Sequence, residues 1–189
     1  MKPLFAVALA VLSAGCAGRD RSVGPEERWS GHIVTVQSAA FAADAPIPKK
    51  HAARDEGDNV SPLITWSNPP PGVEEWAVVC EDRDASGGTW VHWVVYAILK
   101  DAKGLPEGLP RDEELSRPAG ARQGENSWGD IGYGGPRPPK GDAPHRYRFI
   151  VYALKSKIAL EPGATLAELR EAMKGLVIWR GEIAGTYQR

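Results

Sequence analysis

The stretch that most constrains the fold is a glycine- and proline-rich loop, residues 133–144, that runs directly into an apolar strand, residues 145–154. Glycine permits backbone conformations that are closed to other residues, whereas proline fixes φ and stiffens a loop. The residues concerned are Gly134, Gly135, Pro136, Pro138 and Pro139. The pattern predicts a sharply bent, rigid loop that can hold a polar site in a fixed shape.

The strand that follows this loop carries a chemically mixed face. Side chains alternate between the two faces of a strand, so His145, Tyr147 and Phe149 should point the same way. An imidazole, a phenol and an apolar ring in a row would form a suitable wall for a small, anionic and partly apolar ligand. Arg146 should point to the opposite face, where we expect a structural salt bridge.

Two further apolar runs, residues 76–81 and 90–99, are predicted to supply the facing wall. Both runs are rich in Val, Trp and Tyr, which are typical of strands, and a Ser-Gly-Gly turn lies between them. Two aspartates follow the first run. His92 lies inside the second run, and strict alternation places it on the same face as Val94. The aspartates and the two histidines could therefore converge on one pocket.

Five short motifs occur in the order and at the spacing of one known family. They are Asn-x-Ser-Pro-x-Ile-x-Trp at 59–66, Asp-Arg-Asp-Ala at 82–85, His-Trp-Val at 92–94, Gly-Gly-Pro-x-Pro-Pro-x-Gly leading to His-Arg-Tyr at 134–147, and Ala-Met-x-Gly leading to Gly-Thr-Tyr at 172–187. With these motifs the chain resembles the phosphatidylethanolamine-binding proteins, in the bacterial branch called Raf-kinase-inhibitor-like.

The resemblance implies both a fold and a ligand site. The fold is mostly β, a β-sandwich-like domain with a few peripheral helices, and it should span residues 29–189. In the family, the residues that match His145 and Tyr147 contact a phosphate-like group of the ligand. The full set of ligand-binding residues that the resemblance implies is Asp82, His92, Pro139, His145 and Tyr147.

The sequence departs from the family pattern beside one of these residues. Arg83 stands where the family usually has proline, so a proline-dependent turn is absent. We expect the guanidinium to place a cation near the mouth of the pocket, where it would favour anionic ligands. Asp84 is interpreted as a structural residue whose carboxylate accepts hydrogen bonds from loop amides.

The residue pattern outside these motifs also favours a mostly β fold. A first strand is predicted from Trp29, a short strand at 63–67 and a last strand at 177–183. Residues 165–168 form a capping box, which predicts the start of one helix, and Gly175 is placed to end it.

The N-terminal residues have the features of an export signal. Residues 1–15 contain a lysine, an apolar run and small residues, as secretory signal peptides do. The sequence Ser-Ala-Gly-Cys that ends at Cys16 resembles a bacterial lipobox, in which the cysteine is lipidated and begins the mature chain. Residues 16–28 would then form a polar tether. We expect a membrane-anchored lipoprotein of the bacterial cell envelope. Ordinary cleavage near Ala17, which would release a soluble periplasmic protein, is the alternative.

The composition limits the remaining functional classes. A chain of 189 residues suits one domain, and a formal net charge of −1 gives no basis for nucleic-acid binding. There are two cysteines, too few for a cysteine-rich metal site. Cys80 lies in an apolar run and is predicted to be a buried, unreactive thiol. No cofactor is expected, since no phosphate-binding glycine motif is present.

Three functional interpretations remain. The favoured one is a binding protein with a pocket for a small anionic or phosphate-bearing ligand, such as a phospholipid headgroup. The second is an interaction protein that inhibits a protease or kinase-like partner through the rim of the pocket, as relatives in the family do. The third is a hydrolase that uses the histidines and aspartates as acid and base or as metal ligands. We expect the protein not to be an enzyme, because neither His-Glu-x-x-His nor Gly-x-Ser-x-Gly occurs.

Overall fold

The computed structural model describes residues 34–189, which form two antiparallel sheets, one α-helix and one short 3-10 helix. The strands are β1 (Val36–Gln37), β2 (Ile64–Trp66), β3 (Glu75–Asp82), β4 (Trp90–Leu99), β5 (Gly104–Leu105), β6 (Glu114–Ser116), β7 (Ala119–Gln123), β8 (His145–Leu154) and β9 (Val177–Tyr187). The helices are α1 (Leu166–Ala172) and the 3-10 turn Lys49–His51. The predicted signal segment, Cys16, the tether and the start of the first predicted strand lie outside the described residues.

The larger sheet has the strand order β6-β7-β4-β3-β8-β9, and the smaller one has the order β1-β2-β5. Strand β3 pairs antiparallel with both β4 and β8, and every one of its residues is buried. A near-continuous apolar run is what a strand covered on both faces requires. The end of β3 therefore brings its last residue between two neighbouring strands.

Two apolar cores cover the two faces of the larger sheet. The core between the sheets contains aromatic pairs, including Trp66 against Trp76 with ring centroids 5.3 Å apart and Phe41 against Phe149 at 5.6 Å. The other face packs under α1 through Leu166 and Leu169. The prediction of a mostly β, β-sandwich-like domain is confirmed, and of the few peripheral helices expected, residues 34–189 contain one α-helix and one 3-10 turn. Among residues 34–189, no helix has both the length and the apolar character needed to cross a membrane.

Helix α1 begins as the capping box predicts. The Thr165 hydroxyl accepts a hydrogen bond from the Glu168 amide, and the Glu168 carboxylate accepts one from the Thr165 amide at 2.8 Å. These contacts satisfy two amides that have no partner inside the helix. Gly175 has φ +70° just beyond the last turn, a conformation that favours glycine and ends the helix.

The strand bounds agree closely with the sequence pattern at β3, β4 and β8 and less closely elsewhere. The last strand continues to Tyr187, beyond its predicted end, since it pairs with β8 along its whole length. The segment 100–144, which shows no periodicity, contains the three short strands β5, β6 and β7. Cys80 lies in β3 as a buried free thiol, as predicted.

Candidate functional site

A cavity of about 420 Å³ opens at the end of the larger sheet where β3 stops and β8 begins. Asp82, the last residue of β3, lies opposite Tyr147 of β8 and opposite Trp90 of β4. All five side chains expected at a ligand site line this cavity: Asp82, His92, Pro139, His145 and Tyr147. Strands β3, β4 and β8 thus place a carboxylate, two imidazoles and a phenol in the wall of one cavity.

His92 reaches the cavity through a β-bulge that alternation does not predict. Trp93 pairs with Cys80 but Val91 pairs with Glu81, so β4 contains one extra residue at position 92. A bulge of this kind re-aims a side chain. His92 accordingly points to the face of Tyr147, with ring centroids 5.0 Å apart, and not to the face of Val94. The expectation that His92 and Val94 share a face is wrong for this reason.

His145 is held between two carboxylates. Its Nδ1 donates to Asp82 Oδ2 at 2.7 Å, and its Nε2 lies 3.5 Å from Asp142 Oδ2. Burial of the ring lowers its pKa, but the hydrogen bond and the negative charge of Asp82 outweigh burial, so that the pKa of His145 lies above 6.5. Two acceptors on opposite sides of one ring match an imidazolium, which donates from both nitrogens.

The pKa of His92 is shifted in the opposite direction from that of His145. Burial lowers its pKa to about 4, although the hydrogen bond to the Gly134 carbonyl acts against this. Nδ1 donates to that carbonyl at 2.7 Å, which leaves Nε2 of the neutral ring as an acceptor. The cavity therefore contains one imidazole whose pKa is raised beside Asp82 and one that is neutral at neutral pH.

The Tyr147 hydroxyl is the unsatisfied group of the cavity. The side chain is 1% exposed, and its oxygen has no hydrogen-bond partner among residues 34–189. Burial, followed by the charge of Asp82, raises the pKa of Tyr147, so the phenol keeps its proton. A buried hydroxyl without a partner costs roughly 1–3 kcal/mol relative to one that is paired. The phenol is therefore a hydrogen-bond donor without a partner in a residue that lines the cavity.

Gly134 and Gly135 are needed for close packing of the loop, whereas the sequence suggests that they provide unusual backbone conformations. Neither Gly134 nor Gly135 has a positive φ. Instead, a Cβ on Gly134 would lie 2.6 Å from the Trp128 ring, and one on Gly135 would lie 2.2 Å from the His51 carbonyl oxygen. They permit close packing of the loop. The positive φ of this loop occurs at Gly141, with φ +89°.

Several side chains of the cavity are missing from the sequence-based prediction. Trp90 lines the cavity with Trp128, and their ring centroids lie 5.3 Å apart. Arg137 and Arg189 supply two cations. The adjacent Gly-Gly-Pro motif could have drawn attention to Arg137, but no local pattern indicates that the last residue of the chain returns to this cavity. Phe149 shares the face of His145 but belongs to the core.

Arg83 does not provide the cation expected at the pocket mouth. It is absent from the cavity wall, and its Nε donates to Glu81 Oε1 at 2.7 Å. Glu81 is fully buried and precedes Asp82, so it points to the other face of β3. The buried carboxylate thereby holds Arg83 away from the site.

The neighbouring charged residues are structural, as predicted. Arg146 lies on the opposite face from His145 and pairs with Asp44, Nε to Oδ1, at 3.0 Å. Asp84 accepts a hydrogen bond from the Arg146 amide at 2.8 Å, which fixes the start of β8 against the turn after β3. Within residues 34–189, no group of three or more His, Cys, Asp or Glu side chains is arranged to hold a metal ion.

Comparison with known proteins identifies the family. A family model described as phosphatidylethanolamine-binding protein matches residues 37–188. A UPF0098 protein of Pyrococcus horikoshii is 36% identical over 187 residues, which cover 99% of this chain and 88% of that protein. A Mycobacterium tuberculosis protein, LppC, whose name describes it as a candidate lipoprotein, is 37% identical over 155 residues, covering 82% of this chain and 72% of its own.

A solved structure supports the same assignment. The crystal structure of Escherichia coli YbcL, described as a new member of the mammalian PEBP family, superimposes with a TM-score of 0.77 at 35% identity. The match covers 82% of this chain and 98% of YbcL. The chain belongs to the phosphatidylethanolamine-binding protein family.

Proposed function

We propose that the protein binds a small phosphate-bearing ligand in the cavity between β3, β4 and β8, and that it does so without catalysing a reaction. The observation that carries the proposal is the buried Tyr147 hydroxyl, which has no partner among residues 34–189 and lines the cavity beside the His145 imidazolium. A phosphate oxygen would accept hydrogen bonds from both groups. Bonds of this charge-assisted kind are stronger than neutral ones.

The rest of the wall suits the other parts of such a ligand. Nε2 of neutral His92 can accept a hydrogen bond from a protonated phosphate oxygen or from a ligand ammonium group. The indoles of Trp90 and Trp128 can contact an apolar portion, while the guanidinium groups of Arg137 and Arg189 add a positive field. Asp142 interacts with His145 in the absence of a ligand, so a phosphate has to compete with this carboxylate for Nε2.

Acid–base catalysis is a poor fit to the two histidines. His145 is stabilised as a cation between two carboxylates and is therefore a weak base in the resting site. His92 is a poor general base, because a pKa of about 4 gives it little tendency to take up a proton at neutral pH. A cationic His145 that donates hydrogen bonds and a neutral His92 that accepts one are instead suited to binding a ligand.

Anchoring to the cell envelope is part of this proposal. It is supported by the lipobox-like sequence that ends at Cys16 and by the name of the mycobacterial relative. A diacylated cysteine would hold the domain stably at a membrane, since two chains anchor where one is marginal. Cys16 itself lies outside the described residues. Release as a soluble periplasmic protein remains the alternative outcome of export.

A protein partner at the rim of the cavity is the second candidate. The observation that favours it is the exposure of Trp90 and Trp128, at 36% and 37% respectively, at the cavity mouth. Exposed tryptophans are enriched among residues that dominate protein interfaces. Binding of a partner there, such as a protease, would close the cavity without requiring the Tyr147 hydroxyl.

The substitution Tyr147→Phe removes the hydroxyl but keeps the ring, so its effects on ligand affinity and on stability can be measured separately. For Tyr147→Phe we expect phosphate affinity, measured by calorimetric titration with phenyl phosphate, to fall roughly 10-fold because one donor to a charged group is lost. The free energy of unfolding should stay the same or rise by up to about 1 kcal/mol, since a buried hydroxyl without a partner is removed. Unchanged affinity in this variant would contradict the proposed site, and a loss of stability would contradict the unpartnered state of the hydroxyl.

The charge of His145 predicts a pH dependence of binding. The raised pKa means that the imidazolium is fully present below about pH 6.5 and is lost as the pH rises through the raised value. The groups that face the ring are the carboxyl groups of Asp82, Asp84 and Asp142, and Tyr147, whose raised pKa keeps it neutral. Sulfate, which stays a dianion throughout, should therefore bind roughly 10-fold more weakly at about pH 9 than at about pH 6. Affinity that stays constant or rises with pH would contradict an anion held by His145.

A further inference from the structure

A second cavity of about 300 Å³ lies directly beside the first. Two side chains belong to the walls of both cavities, the indole of Trp128 and the guanidinium of Arg137. The second cavity is otherwise lined from the segment 53–59 and from Arg111, Asp130 and the glycine pair of the loop. The two cavities are therefore neighbouring compartments that share these two side chains as part of their walls.

Trp128, which lines both cavities, is held in place on several sides. Its ring packs against the backbone of Gly134, where even a Cβ would clash, and meets His92 edge to face with centroids 5.0 Å apart. Its amide donates to Asn126 Oδ1 at 2.9 Å. The indole is nevertheless 37% exposed. A fixed and exposed aromatic surface between two cavities is suited to contact the middle of an elongated ligand.

The second cavity has unused cationic donors. Arg137 pairs with Asp55 through Nε at 2.8 Å, and Arg111 pairs with Asp130 through one terminal nitrogen at 2.8 Å. A guanidinium has five N–H donors, so both keep further donors beyond their ion pairs. Arg54, which lines the same cavity, has no ion pair with any of residues 34–189. Three arginines against two aspartates leave this compartment with an excess of positive charge.

We propose that the second cavity binds a second anionic group of the ligand, with Arg54 and Arg111 as its recognition residues. This inference rests on the proposed function, in which the phosphate occupies the first cavity. The ligand class is an elongated molecule with two anionic groups, in which a phosphate and a carboxylate or second phosphate lie on either side of a planar or apolar span. The span lies against Trp128, and Arg137, which faces both compartments, stabilises both ends.

The test uses two probes that differ in one charge, 3-(4-phosphooxyphenyl)propanoate and its methyl ester. Both carry the same phosphate and the same ring, and both are titrated calorimetrically at one ionic strength. We expect the acid to bind the parent protein roughly 5- to 10-fold more tightly than the ester, as a partly exposed charge pair allows. In the double variant Arg54→Gln and Arg111→Gln this preference should disappear, while the affinity for the ester stays within about 2-fold of the parent value.

A charge-matched control separates a local site from the general field of the protein. The double variant Lys155→Gln and Lys174→Gln also removes two positive charges, but both residues lie beside α1 on the other face of the larger sheet. It should keep the full preference for the acid. Equal binding of acid and ester by the parent, or equal loss in both double variants, overturns the second subsite. If neither probe binds the parent, the proposed function itself fails, and this result is distinct from equal binding of the two probes.

Discussion

His145→Ala should weaken the binding of phenyl phosphate by at least roughly 10- to 100-fold, which for a weak ligand amounts to complete loss. The change removes a charge-assisted donor and also leaves the buried Asp82 carboxylate without the imidazolium at 2.7 Å that neutralises it. An entering phosphate would then face uncompensated negative charge from Asp82 and from Asp142. Calorimetric titration of the parent and the variant under identical conditions measures the effect.

His145→Gln is the matched variant in case the alanine form folds poorly. A glutamine amide can donate to Asp82 and preserve the fold, but it carries no charge. It should have an unfolding transition close to that of the parent and should still lose most of the affinity. If His145→Gln binds phenyl phosphate as tightly as the parent does, the imidazolium is not the anion-binding group.

Gly135→Ala should lower the free energy of unfolding by about 2 to 3 kcal/mol and the Tm by roughly 5 to 10 °C. The added Cβ would lie 2.2 Å from the His51 carbonyl oxygen and 2.5 Å from the carbonyl carbon of Ala52. Both contacts are with backbone, which cannot move aside as a flexible side chain can. The loop would have to shift away from the 3-10 turn, and ligand affinity should fall with it. Thermal unfolding followed by circular dichroism measures the loss.

Gly87→Ala is the control for this prediction. Gly87 does not have a positive φ, and no atom lies within 4 Å of its added Cβ. The substitution should leave the Tm within about 2 °C of the parent value, since Gly to Ala in a compatible conformation has a small effect. A Gly135→Ala variant as stable as Gly87→Ala would show that the loop does not need this close approach.

The sequence predicts most of the candidate site because most site residues lie in or next to strands that stand out as apolar runs in the sequence. Strands β4 and β8 have the predicted bounds, and β3 extends one residue beyond its predicted run at each end, since each is a run rich in β-branched and aromatic residues. The antiparallel register of β3 and β8 then places Asp82 opposite Tyr147. The family motifs indicate the same residues, and all five line one cavity.

The failures of prediction come from features that no local pattern records. The bulge that turns His92 toward Tyr147 depends on how β3 and β4 pair, and strict alternation therefore gives the wrong face. Arg83 is drawn away by Glu81, a carboxylate whose burial is a property of the folded sheet. Trp128 and Arg189 come from distant parts of the chain, so their meeting at the cavity depends on tertiary structure.

The structure gives the loop glycines a different role from the one that their sequence suggests. A Gly-Gly pair before prolines suggests a conformation with positive φ. In the folded protein the pair is needed because Trp128 and the backbone after the 3-10 turn approach too closely for any side chain. Only the packed structure distinguishes these two requirements.

The central claim is that the Tyr147 hydroxyl and His145 Nε2 bind an anion together. The most direct measurement is a crystal structure of the protein grown with phenyl phosphate. The account predicts one phosphate in the cavity at the end of β3, with an oxygen within hydrogen-bond distance of both groups, at about 2.5 to 3.2 Å. A phosphate bound elsewhere, or an occupied cavity in which Tyr147 still has no partner, would contradict it.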